Sequence, residues 1–408
     1  MKPTIFTILI LLAFASNAQF KADNVRYQTV YPEDLCKTLQ SNKGALLLDV
    51  RSPGEYNDTS SSVSLNLGHL KDAVNIDIRQ LAQRWKEIEA YKDQPVFIYC
   101  SHSQRSRRAS RLLADSGFTK VYNVNGGLTA FYDQGIQYNP CESYAIETTV
   151  PYTIISSKQL ADQLSKGKSF TIIDLRKDSV FKNMAGERAK HEGKFSEAIN
   201  IPFENFPGDK TISQTKPILL VDEFGDQSPK AAKMLINKGY KNVSILFDGM
   251  DGWVDYVTTL PAVANRIPAN VKWTKNASYN LLSDEQFINI LKAFKDVMII
   301  DVRSKEEFSN ASKNNWQNVG QIKGAVNIPA AEIKDSKQLP PSAGTYVIVY
   351  GFNGQPEIFE SAKFLKDLGY RNVGVLYGGI WRLRWAAHNV KGKEALSDLV
   401  VNVPPDNQ

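Results

Sequence analysis

One short pattern occurs three times in this chain, and the repetition limits the fold more than any other feature. Leu47-Leu48-Asp49-Val50-Arg51 recurs as Ile172-Ile173-Asp174-Leu175-Arg176 and as Ile299-Ile300-Asp301-Val302-Arg303. Each aspartate is followed by an aromatic at the seventh position (Tyr56, Phe181, Phe308) and a glycine at the nineteenth (Gly68, Gly193, Gly320). An asparagine follows at the twenty-sixth (Asn75, Asn200, Asn327). The copies lie 125 and 127 residues apart, so the chain is one unit written three times.

The rest of each unit repeats as well. An apolar, β-prone run comes first: Val96–Tyr99, Ile218–Val221 and Val347–Tyr350. An amphipathic helix follows and stops at a glycine suited to a helix C-terminus, namely Gly117, Gly239 and Gly369. A further strand then runs into a turn at Gly126-Gly127, Asp248-Gly249 and Gly378-Gly379. Ser156 with Gln159, and Ser283 with Gln286, read as capping boxes that open the first helix of units two and three. Strands alternating with helices predict an α/β fold, each unit a mainly parallel β-sheet flanked by helices on both faces. In such sheets ligands gather at the carboxyl ends of the strands. The expected boundaries are 27–140, 150–262 and 279–395, with a loose polar tail over 396–408.

Residues 1–18 stand outside this scheme. Lys2, an apolar run from Ile5 to Ala15, and Ser16-Asn17-Ala18 before Gln19 have the order of a cleaved signal peptide. The run is too short to span a bilayer, which takes about 20 residues. An exported protein, periplasmic or secreted and not membrane-bound, is therefore expected. At 42% hydrophobic and 23% charged residues the composition is globular. A net charge of +6 without a dense Lys/Arg run fits anionic ligands and gives no reason to expect a nucleic-acid surface. Three cysteines (Cys36, Cys100, Cys141) leave at least one unpaired within the chain. A Cys36–Cys141 disulfide would spare Cys100, although the sequence does not fix whether the two meet. The four histidines and three cysteines lack metal-ligand spacing.

Cys100 ends the strand Val96–Tyr99 and opens the loop Ser101-His102-Ser103-Gln104-Arg105-Ser106, after which a helical pattern starts. A sulfur at such a junction faces the free amides of a helix N-terminus, which stabilise an anion. The plain alternative is a core cysteine at a strand end. Arg105, Arg107, Arg108 and Arg111 crowd a helix start where the dipole disfavours cations by about 0.3–1 kcal/mol each. They read either as an attractor for anionic substrates or as a solvated basic face.

Here the sequence resembles the rhodanese-like sulfurtransferase family. The residues that carry the likeness are Asp49-Val50-Arg51-Ser52 with Glu55-Tyr56, Gly68-His69-Leu70, Ala73-Val74-Asn75-Ile76, the Cys100 loop with Arg105-Ser106, and Gly126-Gly127. The resemblance covers nearly all of the chain after residue 18. It implies three tandem rhodanese-like domains and a catalytic Cys100 that carries sulfane sulfur as a persulfide. The substrate-binding loop would be Ser101, His102, Ser103, Gln104, Arg105 and Ser106. It also implies thiosulfate or a similar donor, cyanide or a thiol acceptor, and no cofactor. Related phosphatase-like loops are one residue longer before the arginine. Ser103 departs from the glycine common in the family.

The other loops lack the nucleophile. Unit two has Asp222, with Gln227 in place of Arg105, and unit three offers Tyr350-Gly351-Phe352-Asn353-Gly354-Gln355-Pro356. One active and two inactive domains are expected. Asp49 and Arg51 recur in the inactive units, so they read as structural. His69 reads as a spacer, and His102 as an exposed loop residue that could also donate a proton. Two alternatives to the enzyme remain: a persulfide or redox sensor, or scaffold, binding a protein partner through domains 2 and 3, and a phosphatase-like hydrolase.

Overall fold

The computed structural model describes residues 25–135, 141, 145–208, 212–213, 216–259, 272–274 and 277–404. The leader expected over residues 1–18 lies outside them.

Three five-stranded sheets repeat one topology. In the first, the strands run in the order Gln28–Val30, Val121–Val124, Val96–Tyr99, Leu46–Asp49, Val74–Asn75, all parallel. The second sheet has the equivalent order Thr153–Ile155, Val243–Leu246, Ile218–Val221, Thr171–Asp174, Ile199–Asn200. The third repeats it with Asn280–Leu282, Asn372–Leu376, Tyr346–Tyr350, Val297–Asp301 and Val326–Asn327. Helices cover both faces of each sheet, so central strands such as Val96–Tyr99 and Ile218–Val221 are buried throughout. Their unbroken apolar runs follow from that double burial. The capping boxes at Ser156 and Ser283 form as the sequence predicts, and Ser52 and Ser304 make two more.

The recurring offsets are one hydrogen-bonded clamp. The Arg51 guanidinium grips the Asp49 carboxylate at 2.7 Å and donates to the Gly68 carbonyl at 2.6 Å. The Asn75 amide donates to the carbonyls of Asp49 and Arg51 at 3.0 Å each. Arg176 with Asp174, Gly193 and Asn200 repeats it, as does Arg303 with Asp301, Gly320 and Asn327. The ion pair of unit one is completely buried, and such a pair is tolerable only with its remaining groups bonded, as these are.

Each glycine of the clamp also admits a strand. Gly68 has φ 69°, and a Cβ there would lie 2.3 Å from the Glu147 carbonyl oxygen. Beside it His69–Leu70 pairs antiparallel with Ile146–Glu147. Lys194–Phe195 pairs likewise with Trp273–Thr274, and Gln321–Ile322 with Val400–Val401. The segment after each domain thus folds back onto it. Over 396–404 this corrects the loose tail expected for 396–408; residues 405–408 lie outside the described residues. Leu396 is 3% exposed in the third domain's core, and a short 3-10 helix over Glu394–Leu399 leads into the paired strand. Leu396, Leu399 and Val400 pack into that core beside the backbone pairing.

Cys36, on the first helix, and Cys141, past the last helix of unit one, form a disulfide with Cα atoms 6.0 Å apart. Cys100 is the free cysteine and is buried.

Each domain touches both others. Tyr132 stacks on Phe247 between the first and second. Tyr377 donates to Asp251 at 2.6 Å, and Arg382 to Asp255 at 2.5 Å, between the third and second. The His388 carbonyl accepts from Arg107 at 2.8 Å and Asn125 at 2.6 Å between the third and first.

Candidate active site

The strand Val96–Tyr99 delivers Cys100 to the carboxyl edge of the first sheet, and the helix Gln104–Asp115 begins four residues later. The turn between them needs a left-handed residue. Ser103 takes it at φ 81°, and its hydroxyl is held by the Asn125 side chain at 3.1 Å and by the Gly126 amide. Those contacts compensate a conformation that serine adopts less readily than glycine. Gly127 lets the next helix close on the loop, since Leu128 and Thr129 donate to the carbonyls of Cys100 and Ser101. A Cβ at Gly127 would lie 2.3 Å from the Cys100 carbonyl oxygen.

Cys100 Sγ lies 3.6 Å from Ser106 Oγ. That hydroxyl is itself 2.7 Å from Asn123 Oδ1 and 3.0 Å from the Ser103 carbonyl. Arg105 leaves the loop. It pairs with both oxygens of Glu55, at 2.7 and 2.6 Å, and reaches Ser101 Oγ at 2.8 Å. Burial pushes the Glu55 carboxyl up, but hydrogen bonds from Arg105 and Ser52 outweigh it and hold the group below the usual carboxylate range. His102 Nδ1 lies 2.8 Å from Ser101 Oγ. The residue is exposed, as the sequence suggests, but crowding by its neighbours, then Arg105, lowers the imidazole's proton affinity, so it is neutral near pH 7 and a poor proton donor. Gln104 is exposed at the first helical position.

The four arginines do not form one anion funnel. Arg107 is buried and turns to Asn125 and the His388 carbonyl of the third domain. Arg105 is matched by Glu55, so only Arg108 and Arg111 remain exposed. His69 stacks on Tyr56 with ring centroids 4.0 Å apart and has its Nδ1 3.0 Å from the Tyr56 carbonyl.

The second domain displays what this loop backbone can hold. The Asp222 carboxylate accepts from the amides of Gly225 (2.6 Å), Gln227 (2.5 Å) and Ser228 (2.8 Å), and lies 3.4 Å from Ser228 Oγ. Gly225 has φ 76°, close to the 81° of Ser103. By position the same donors in the first domain are the amides of Ser103, Arg105 and Ser106 with Ser106 Oγ. The loop is an anion cradle, filled in unit two by its own side chain. In the third domain Gly351 takes the cysteine's place, since its carbonyl accepts from Ile380 as that of Cys100 accepts from Leu128. Pro356 there removes one cradle amide, and the Gln355 side chain bonds the Phe352 amide instead.

Sequence reasoning missed Glu55, Asn123 and Asn125 as members of the site. A signal was present. The strand register aligns Asn123 with Ile245 and Val375, and Asn125 with Phe247 and Tyr377, so asparagines stand at two positions that are apolar or aromatic in the other units. Among the described residues no three His, Cys, Asp or Glu side chains are grouped to hold a metal ion.

Residues 32–134, 156–256 and 283–383 each match the family described as the rhodanese-like domain. The chain belongs to the rhodanese-like domain family. Its relatives include the thiosulfate sulfurtransferase GlpE of Vibrio cholerae, 31% identical over 96 residues, which are 24% of this chain and 80% of GlpE. A sulfurtransferase of Allochromatium vinosum is 31% identical over 104 residues, 26% of this chain and 87% of that one. The protein YqhL of Bacillus subtilis is 38% identical over 104 residues, 24% and 74% of the two chains. Each match thus spans about one of the three rhodanese-like units. Among solved structures, a thiosulfate sulfurtransferase from Pseudomonas aeruginosa aligns over 86% of this chain and 66% of its own at 16% identity. Its TM-score of 0.23 is too low for that overlay to carry an argument.

Proposed function

We propose that this rhodanese-like protein is a sulfurtransferase with one working site, at Cys100. The observation that carries the reading is the cradle of the second domain. The loop whose amides grip the Asp222 carboxylate opens, in the first domain, at a cysteine whose sulfur lies 3.6 Å from Ser106 Oγ. In the forward step the Cys100 thiolate attacks the sulfane sulfur of thiosulfate or a similar donor. A bond forms between Sγ and that sulfur while the donor's own S–S bond breaks, its electron pair leaving on sulfite. The amides of Ser103, Arg105 and Ser106 then stabilise the terminal persulfide sulfur. Attack by cyanide or a thiolate on that outer sulfur returns the thiolate, and the cycle consumes no cofactor. Relatives named as sulfurtransferases support this chemistry without specifying donor or acceptor.

A thiosulfate:cyanide assay on the purified protein tests it, with thiocyanate expected from the wild type. Absence of transfer from thiosulfate, mercaptopyruvate and polysulfide alike would favour the scaffold reading. The phosphatase-like alternative is disfavoured because the Arg105 guanidinium is engaged by Glu55 and not turned into the cradle.

We also propose that the protein is exported. The order of residues 1–18 supports it, and so does the Cys36–Cys141 disulfide, since such bonds persist in oxidising compartments.

A further inference from the structure

The three domains enclose a central cavity of about 570 Å³, within the range of small-molecule sites. Equivalent positions of the three units line it. The second residue after each cradle start contributes His102, Phe224 and Asn353. The helix that follows each glycine turn contributes Thr129, Asp251 and Trp381 at one position, and Asp133, Asp255 and Trp385 four residues on. A ring of three repeats points equivalent helix faces at one centre, and divergence then gave each wall its own chemistry. Unit one supplies Thr129 and Asp133 near the Cys100 loop, unit two further carboxylates, and unit three tryptophans.

Carboxyl groups outnumber guanidiniums in the cavity lining. Four carboxylates (Asp133, Asp248, Asp251, Asp255) face two guanidiniums, Arg188 and Arg382. Arg188 is already matched by Glu192 at 2.8 Å, and Arg382 by Asp255 at 2.5 Å. No hydrogen bond or ion pair engages the carboxylates of Asp133 and Asp248 among the described residues. Asp248 also holds a left-handed φ of 54° where the other units have Gly126 and Gly378, a conformation an Asp keeps at some expense. The described residues offer no grouping for a metal ion.

We infer that this chamber binds a small organic cation, its ammonium between Asp133 and Asp248 and its body against Trp381, and that the cation is the sulfur acceptor. Aromatic faces and carboxylates together select such a group over a neutral one. The acceptor role rests on the sulfur-transfer reading; the binding does not. With an aminothiol, its thiolate attacks the outer persulfide sulfur. An S–S bond forms there, the bond to Cys100 Sγ breaks, and the electron pair returns to Sγ with no net oxidation.

Proton linkage gives a signature. Asp133 is exposed to the chamber, yet its enclosure by the surrounding walls first, then Asp255, raises its carboxyl to about 7 against the pull of Arg382. Asp248 is raised well above the carboxylate range by burial and by Asp133, Asp251 and Asp255, with Arg382 opposing. The loop's His102 also lines the chamber, with the Arg188 and Arg382 guanidiniums opposite. A cation favours the ionised carboxyls, so its affinity should rise from pH 6 to 8 with release of protons.

Calorimetry on the full chain with choline, against its neutral isostere 3,3-dimethylbutan-1-ol, tests the binding. Choline should bind at least tenfold more tightly, and Asp133→Asn with Asp248→Asn should abolish the preference while melting no lower than wild type. Equal binding of the two probes, or none by choline at millimolar concentration, overturns the inference. Kinetics with cysteamine and 2-mercaptoethanol at matched thiolate then test the role. At least tenfold higher kcat/KM for cysteamine is expected, lost in the double variant. Equal use of both acceptors would sink the acceptor assignment and leave sulfur transfer standing. Transfer to neither, with choline still bound, would sink sulfur transfer and leave the binding site.

Discussion

At the scale of residues, the cradle is backbone and the identity of one side chain decides its use. Asp222 fills the ring of amides with its own carboxylate, Gly351 leaves it without a nucleophile, and Cys100 opens it with a sulfur beside Ser106 Oγ. Replacing Cys100 by Ser should abolish thiocyanate formation and leave the melting temperature nearly unchanged, because the two side chains are close in volume. Residual turnover above a few per cent would exclude Cys100 as the carrier. The Arg105–Glu55 pair gives a pH prediction. Because the folded-state Glu55 carboxyl titrates below its unfolded value of about 4.3, its contribution is complete above that pH and lost as pH falls through the lower folded value. Glu55→Gln should therefore melt lower than wild type at pH 7, by the equivalent of about 1–3 kcal/mol. The two proteins should converge once the pH has fallen below the folded-state value. A gap independent of pH would mean that the carboxylate's charge is not what the arginine uses.

At the scale of elements, each unit is held by its Asp–Arg–Gly–Asn clamp, which ties the second strand of the sheet to the strand that pairs with the following linker. Arg51→Ala would leave the Asp49 carboxylate buried without its partner, at a cost of about 3–5 kcal/mol. Chemical denaturation should register that loss, and a value below about 1 kcal/mol would mean that water replaces the guanidinium. The clamp was legible because its members keep constant offsets in all three units. Asn123 and Asn125 were harder to see. They serve one unit only, so repetition marks them solely by their departure from Ile245 and Phe247.

At the scale of the whole molecule, three domains are joined by contacts that occur once each. Arg107 shows how far this lies from local reasoning. By position it crowds a helix start as a stray cation, yet it is buried against Asn125 and the His388 carbonyl, 281 residues away. The Cys36–Cys141 bond closes a loop of 105 residues. On the chain-entropy account it contributes up to about 4–5 kcal/mol. Denatured, unreduced protein should titrate one thiol, and reduction should lower the melting temperature; three titrated thiols would refute the pairing. Intact mass of exported protein should begin at Gln19, and recovery of the full-length chain from the membrane fraction would contradict export.

By itself the sequence determined the α/β class, the threefold repetition, the clamp residues, the Cys100 loop and its failure in the other two units. All of these arise within a unit, where hydrophobic period, capping and fixed offsets act over short separations and are written three times. Only the tertiary structure decided that Arg107 turns inward, that residues beyond Leu396 pair with Gln321–Ile322, and that Asp133, Asp248 and Trp381 share a cavity. Those contacts depend on how three rigid bodies pack. Packing of that kind is set by surface shape and by side chains present in a single copy, and it leaves no periodic mark on the chain.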